Sequence, residues 1–374
     1  MNNNPGALTP SFSVLQGSPA SGLGRPAARV LLYGALAVLL LAFCVVIVHS
    51  YQTVFSGRAD SFSVSEWLIN YGGGFVRRGL GGALILQASQ VAGVSPRTLL
   101  FAIMFVCYGV IFASTALMLW REPKVSYFDL LLAVSPFVTL FPLIHRVAGQ
   151  RKEVLLLALA GVAGTTRVGR LDSFRKYLAW ALALAALVGV HDGLVFFLPV
   201  FVVYLKVLTP PEHPVGYRAL LLLAPAAVVF LCGYLYSAHV DIAAICDTMS
   251  RYEKGDWCTG PESTHYFAAA WLKASATDGM HAVVTQFSAN GVLALTLSGG
   301  ALALLPIGIA LRANSVALTR AIQDLPWRMS FVWLSLLALV PLFAVASDWN
   351  RWFYILASLL TFIYFGSERD REHR

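Results

Sequence analysis

The chain has 374 residues, of which 58% are hydrophobic and only 12% are charged, and its formal net charge at pH 7 is +8. This composition excludes a soluble globular domain and is typical of a helical membrane protein. In such a protein the basic excess is explained by loops that lie against anionic lipid, so it does not indicate nucleic acid as a partner.

The chain begins with a polar segment, residues 1–29, that is rich in Gly, Ser and Pro and is expected to be a disordered cytoplasmic tail. Residues 30–366 are predicted to form one transmembrane helical domain, and residues 367–374 a second cytoplasmic tail. Six long apolar runs predict spans at 30–50, 98–120, 126–144, 219–237, 286–311 and 329–346. Four shorter runs lie at 154–166, 177–190, 193–208 and 352–366, and a Gly-rich run at 79–95 is either a half-helix or a helix lying on the membrane.

These runs predict an all-α polytopic membrane protein with about ten transmembrane helices, some of them short or re-entrant. Alternate loops carry the larger share of the 27 Lys and Arg residues, which places both termini in the cytoplasm. In this topology residues 238–285 form the longest loop on the opposite face and are long enough to be functional. Cys246 and Cys258 both lie in this loop, where an oxidising compartment would favour a disulfide.

The segment from Asn70 to Gly82 places Arg77 and Arg78 among several glycines. Glycine lets the backbone approach a ligand closely, and the guanidinium group is a fixed fork for phosphate oxygens. This combination predicts binding of a phosphate-bearing lipid-linked substrate. The structural alternative is a juxtamembrane anchor followed by a turn.

Three further polar clusters fall on the same predicted face. Arg146, Arg151 and Glu153 lie at the start of one apolar run, either as a diphosphate site or as a helix end that reaches the interface. His191 and Asp192 follow another run, either as a general base with its orienting carboxylate or as a polar pair in a tight turn. The third cluster contains Asp348, Trp349, Arg351 and Trp352, which suit either a sugar site or an interfacial belt with a structural ion pair.

The first loop of that face contributes Asp60 and Glu66, an acidic position suited to binding a metal or to acting as a base. The sequence lacks zinc spacing, a Walker motif, a dinucleotide fingerprint and a Gly-x-Ser-x-Gly elbow. These absences argue against an ATP-driven pump subunit and a serine hydrolase.

The order of these motifs resembles bacterial inner-membrane proteins of polysaccharide gene clusters, similar to O-antigen polymerases of the Wzy type and to exopolysaccharide polymerases. The matching pieces are Asn70 to Gly82, Arg151-Lys152-Glu153, His191-Asp192-Gly193 with Phe196-Phe197-Leu198-Pro199, and Asp348 to Trp352. The chain departs from the family pattern at Asp192, where Glu is usual, and at Asn350, where Gly is usual. The resemblance implies polymerisation of repeat units carried on undecaprenyl diphosphate at the periplasmic face of the inner membrane.

The residues and the resemblance together give a mechanistic hypothesis. The substrate-binding residues would be Arg77, Arg78, Arg146, Arg151, Asp348, Arg351 and Trp349, with the arginines neutralising the leaving diphosphate. The catalytic residues would be His191, Glu66 and Asp192, with His191 or Glu66 deprotonating the acceptor hydroxyl. Neither a metal nor another cofactor is expected, and the partners would be the lipid-linked glycan, membrane lipid and other polysaccharide-assembly proteins.

Three alternatives remain open at the level of sequence. A divalent ion held by Asp60 or Glu66 would indicate a metal-dependent glycosyltransferase that uses polyprenyl-phosphate sugars. A transporter of lipid-linked sugars would also need arginines, together with inverted repeats and polar residues near the midplane. A non-catalytic scaffold of a polysaccharide export system would tolerate single arginine substitutions.

Overall fold

The structure, a computed structural model, describes residues 25–55, 62–121, 126–136, 138–145, 149–210, 213, 215–252, 268–288, 291–313, 319, 322, 325 and 329–368. Within these residues every regular element is helical. Arg146, Asp60 and Cys258, as well as most of both predicted tails, lie outside the described residues.

The described residues in the first half of the chain form eight α-helices. They are α1 (Arg25–Phe55), α2 (Phe62–Trp67), α3 (Gly79–Ala92), α4 (Pro96–Arg121), α5 (Tyr127–Ala133), α6 (Phe141–Ile144), α7 (Val154–Thr165) and α8 (Phe174–Val190). The second half contributes α9 (Leu198–Leu208), α10 (Arg218–Tyr236), α11 (Ile242–Tyr252), α12 (Ala276–Phe287), α13 (Val292–Ala313), α14 (Met329–Leu337), α15 (Val340–Val345) and α16 (Trp349–Glu368). Short 3₁₀ helices lie at Arg167–Gly169, Asp192–Phe197, Ser237–His239 and Ala268–Leu272.

Four of the described helices are long and apolar enough to cross a membrane. They cover Arg29–Phe55, Pro96–Arg121, Arg218–His239 and Val292–Arg312. They coincide with four of the six long runs predicted as spans, which confirms the all-helical membrane architecture at this coarser level.

The other two long runs are broken, and both breaks have a local cause. The run at 126–144 forms α5 and α6, separated around Pro136, because proline lacks the amide hydrogen and disfavours a helical conformation at the residue before it. The run at 329–346 is divided into α14 and α15, with Pro341 in the first turn of α15. Neither run therefore forms the single uninterrupted helix that the hydrophobic pattern predicts.

Helices α4 and α7 pack side by side and run in the same direction. Their C-terminal ends lie level with each other, but their N-terminal ends do not. An added side chain at Gly161 would meet Ser114, one at Gly164 would meet Met118, and the Arg121 guanidinium donates to the Thr165 carbonyl at 3.0 Å. With 26 residues α4 is about 39 Å long, whereas α7 with 12 residues is about 18 Å long. The N-terminal end of α7 is therefore recessed well below the start of α4.

Helices α8 and α9 form an antiparallel pair. The Leu171 amide donates to Thr209 Oγ1 at 2.9 Å, so the start of α8 and the end of α9 lie together. The opposite ends of these two helices are joined by residues 191–197. The two tips, residues 149–153 and 191–197, meet and carry half of the buried ionisable side chains in the described part of the chain.

Candidate functional site

The glycines of the 70–82 segment allow the backbone to approach other parts of the chain. An added side chain at Gly73 would collide with the Asp241 carbonyl, and one at Gly82 with the Ile69 carbonyl. The Asp241 amide also donates to the Gly73 carbonyl at 2.9 Å. At Gly73 and Gly82 the backbone of the segment is thus packed closely against other parts of the chain.

Arg78 precedes α3 in a left-handed conformation, with φ of 65°. It is the only non-glycine residue with positive φ among those the structure describes. Its Nε donates to Asp192 Oδ1 at 2.6 Å, and its Nη1 lies 3.6 Å from Glu66 Oε1. Its carbonyl accepts a hydrogen bond from Lys152 Nζ at 3.0 Å.

Glu66 lies at the centre of the ionic network, with only 1% of its side chain exposed. It pairs with Arg151 and Arg78, and His191 Nε2 lies 3.4 Å from its Oε1. Burial acts to raise the pKa of Glu66, but Arg151, His191 and Arg78 outweigh it and hold that pKa well below its usual range. Surrounded by basic groups, this carboxylate is poorly suited to hold a cation.

Arg77 is engaged in a different way from Arg78. Its Nη2 donates to the backbone carbonyls of Trp271 at 2.5 Å and Ala274 at 3.2 Å, and its Nη1 lies 3.5 Å from Asp192 Oδ2. Burial favours the protonated form of Asp192, but the charges of Arg78 and Arg77 keep the pKa of this carboxyl below its usual range. Arg77 thus ties the segment before α12 to the ionised carboxylate of Asp192.

His191 links this network to a second carboxylate. Its Nε2 lies 3.2 Å from Glu153 Oε1, and its Nδ1 accepts the Gly193 amide hydrogen at 3.1 Å. Because Nδ1 accepts that hydrogen bond, Nε2 is the ring nitrogen that faces the carboxylates of Glu153 and Glu66. Glu153 also lies 3.4 Å from Arg351 Nε, and the Arg351 guanidinium packs 4.2 Å from the Trp352 ring centroid.

Asp348 is the most accessible acid of the cluster, with 39% of its side chain exposed. Its Oδ2 lies 3.5 Å from Arg351 Nη1 and 3.9 Å from Arg151 Nη2. Both separations exceed those of ordinary hydrogen bonds, so the Asp348 oxygens remain available to a ligand.

Most of these side chains line a cavity of about 450 Å³. The charged lining includes Glu66, Arg77, Arg78, Arg151, Asp192, Asp348 and Arg351, and buried His191 also faces the cavity. The apolar lining includes Phe62, Phe196, Phe230, Tyr234, Leu342 and Val345. One cavity is therefore lined by both arginines and apolar side chains, and at Phe62 the two are in contact, with Arg151 Cζ 4.3 Å from the ring centroid.

The structure brings together eight of the residues that the sequence analysis proposed for the site. They are Glu66, Arg77, Arg78, Arg151, His191, Asp192, Asp348 and Arg351. Trp349 is placed elsewhere: its indole nitrogen donates to the Phe343 carbonyl at 2.8 Å, and its ring packs on Phe287. The aromatic residues that line the cavity in its place include Trp352 and Trp271.

The sequence patterns assign no role to Lys152, which has 0% exposure in the structure and contacts the Arg78 backbone. A signal for it exists, because a lysine directly before an apolar helix needs a partner when that helix is buried. Across the described residues no group of three His, Cys, Asp or Glu side chains is arranged to hold a metal ion.

Residues 264–373 match the model of a family described as "Uncharacterised membrane protein Rv1490". The matched region contains Asp348 and Arg351, whereas Glu66, Arg78 and His191 precede it. The chain is a helical membrane protein. No curated protein and no solved structure matches it.

Proposed function

We propose that the protein is a glycosyltransferase of the bacterial inner membrane that joins oligosaccharide repeat units carried on undecaprenyl diphosphate into a surface polysaccharide or exopolysaccharide. The observation that supports this proposal is the cavity in which arginines and an apolar wall adjoin. A lipid diphosphate has the same division between an anionic head and a hydrophobic chain.

The diphosphate is placed against Arg78 and Arg151. Arg78 is the more accessible of the two, with 23% of its side chain exposed, and its contacts with Asp192 and Glu66 orient the guanidinium toward the cavity. Such preorganised cations stabilise the charge that develops on a leaving diphosphate without further rearrangement. Arg77 is occupied by carbonyls and Asp192, so it contributes mainly by holding the wall of the cavity.

Asp348 is the base that the geometry supports best. Both nitrogens of His191 face protein groups, and Glu66 is enclosed by basic partners, whereas Asp348 is open to the cavity. Asp348 takes the proton of an acceptor hydroxyl while the oxygen of that hydroxyl bonds to the anomeric carbon of the donor sugar. The bond between that carbon and the diphosphate oxygen breaks, and the electron pair leaves with the diphosphate.

The orientation in this proposal retains cytoplasmic termini and about ten crossings, with the site facing the periplasm. Cys246 is disulfide-bonded, and it lies in helix α11, which packs near the 70–82 segment. Disulfides persist in oxidising compartments, which supports a periplasmic position for this end of the molecule. The predicted partner, Cys258, lies outside the described residues.

Transport of a lipid-linked sugar is the second candidate function. It is favoured by the position of the charged tip 149–153, which is recessed from the start of α4. The tip lies about 18 Å along α7 from the C-terminal ends of α4 and α7, which are level with each other. A recessed charged site with an apolar wall also suits a carrier that moves a lipid head group.

The deciding experiment uses a gene-deletion strain complemented with wild type, Arg78→Ala or the control Arg121→Ala. Arg121 is an arginine at the C-terminal end of α4, outside the cavity lining, where it donates to the Thr165 carbonyl. With equal amounts of protein in the membrane, we expect Arg78→Ala to lose long glycan chains while single repeat units still reach the surface. Arg121→Ala should resemble wild type.

Three outcomes would contradict the proposal. Accumulation of lipid-linked units with none at the surface would indicate transport. Unchanged glycan in the deletion strain itself would remove the protein from polysaccharide assembly, and wild-type behaviour of Arg78→Ala would favour the scaffold.

A further inference from the structure

Lys152 is a buried lysine whose side-chain nitrogen contacts the Arg78 backbone. Its side chain is fully enclosed, and Nζ donates to the Arg78 carbonyl at 3.0 Å. A lysine buried to this extent normally has a dedicated partner. The contact joins the tip before α7 to the residue that begins α3.

The Arg78 backbone is the part of the site that most needs such support. A left-handed conformation is unfavourable for a residue with a side chain and persists where its surroundings fix it. That conformation directs the Arg78 side chain to Asp192 and Glu66. A change at this one peptide would move the guanidinium away from both carboxylates.

We propose that Lys152 is a positioning residue that keeps Arg78 in its left-handed conformation by holding its carbonyl, and so presents the Arg78 guanidinium to an anionic ligand. This inference rests on the proposed function for its ligand, a lipid-linked phosphate. Its structural half, the Lys152–Arg78 contact, is independent of that function.

The surroundings of Lys152 give the contact a dependence on pH. Burial lowers the pKa of Lys152 to about 7; Glu66, Asp192 and Glu153 oppose that shift and the Arg78 charge adds to it. Lys152 lies outside the four helices that are long and apolar enough to cross a membrane. Below this pKa the ammonium makes a charge-assisted hydrogen bond, and above it the neutral amine makes a weaker one.

The test measures binding of farnesyl diphosphate to the full chain in lipid nanodiscs, at one pH below and one above the lysine pKa. The variants are Lys152→Met, Lys152→Gln, Arg78→Ala and the double variant Lys152→Met with Arg78→Ala. We expect wild type to bind more tightly at the lower pH. We expect Lys152→Met to bind about tenfold more weakly than wild type there, as for loss of one charge-assisted hydrogen bond, and to bind equally at both pH values.

The double variant separates positioning from a direct effect of the lysine charge. If Lys152 acts through Arg78, Lys152→Met has no further effect once Arg78 is alanine, and the pH dependence disappears from Arg78→Ala. If the two losses add, or if Arg78→Ala keeps the pH dependence, the inference is overturned. Lys152→Gln keeps a neutral donor and should bind between wild type and Lys152→Met if either variant folds.

Hydrogen exchange separates failure of this inference from failure of the proposed function. Absence of binding by wild type contradicts the proposed function alone. In that case faster amide exchange at residues 76–82 in a folded Lys152 variant still supports the positioning role. Unchanged exchange there, in both Lys152→Met and Lys152→Gln, overturns it.

Discussion

Glu66 contacts Arg151, Arg78 and His191 while almost none of its own side chain is exposed. Removing one member of a buried ionic network leaves its partners with uncompensated charge, which is more costly than losing an exposed pair. The carboxylate therefore holds the two arginines in place, whether or not it meets substrate.

Glu66→Gln is expected to reduce the free energy of unfolding by about 3–5 kcal/mol, because Arg151 stays buried without its counter-charge. The measurement is denaturant unfolding of the purified protein in detergent micelles. The matched control is Asp172→Asn, which removes the carboxylate of an exposed pair with Lys176 and should leave unfolding unchanged.

The same variant has a defined dependence on pH. The pKa of Glu66 is lower in the fold than in the unfolded chain, so its contribution is complete above about 4.3, the ordinary pKa of Glu. It decreases as the pH falls below that value. The difference between wild type and Glu66→Gln should shrink in acid, and a difference that stays constant would contradict the ionic role.

Among the elements, α3 depends on glycine for its position. Gly82 faces the Ile69 carbonyl so closely that an added methyl group has no space, whereas Gly34, on the exposed face of α1, has nothing within 4 Å of that position. Both residues are helical, so the same substitution brings the same gain in helix propensity at each. Only the packing differs.

Gly82→Ala is therefore expected to lower the free energy of unfolding by about 1–3 kcal/mol through overpacking. It should also reduce glycan polymerisation, since α3 begins directly after Arg78. The control, Gly34→Ala, should be neutral or more stable by up to about 1 kcal/mol. Equal behaviour of the two variants in the unfolding measurement would show that α3 is not held by this close approach.

The sequence predicts the long apolar helices and many residues of the site, but it does not predict which site residues contact each other. Ionisable residues are costly in an apolar chain, so the sequence alone marks Arg78, Arg151 and His191 as candidates. It also marks Asp192 and Glu66, but it does not show which residues pair, because Arg78 and Asp192 are 114 positions apart and Arg151 and Glu66 are 85 apart. No local pattern encodes such pairs, nor the backbone carbonyls that bind Arg77.

The whole molecule has two chemically different ends. Arg121 lies at one end beside the exposed start of α8, and Cys246 lies at the other, near the Gly-rich segment and the cavity. The distribution of Lys and Arg along the chain predicts that the Arg121 end faces the cytoplasm. The disulfide at Cys246 independently favours an oxidising compartment for the opposite end.

We therefore expect Cys246 to react with a membrane-impermeant maleimide in intact spheroplasts only after an impermeant reductant has opened its disulfide. The control is Ser173→Cys, a cysteine at the exposed start of α8, which should react only after the membrane is permeabilised. If Ser173→Cys reacts in intact spheroplasts while Cys246 is protected, the protein has the opposite orientation in the membrane. The charged cavity would then open to the cytoplasm, where lipid-linked repeat units are built, and a periplasmic polymerase would be excluded.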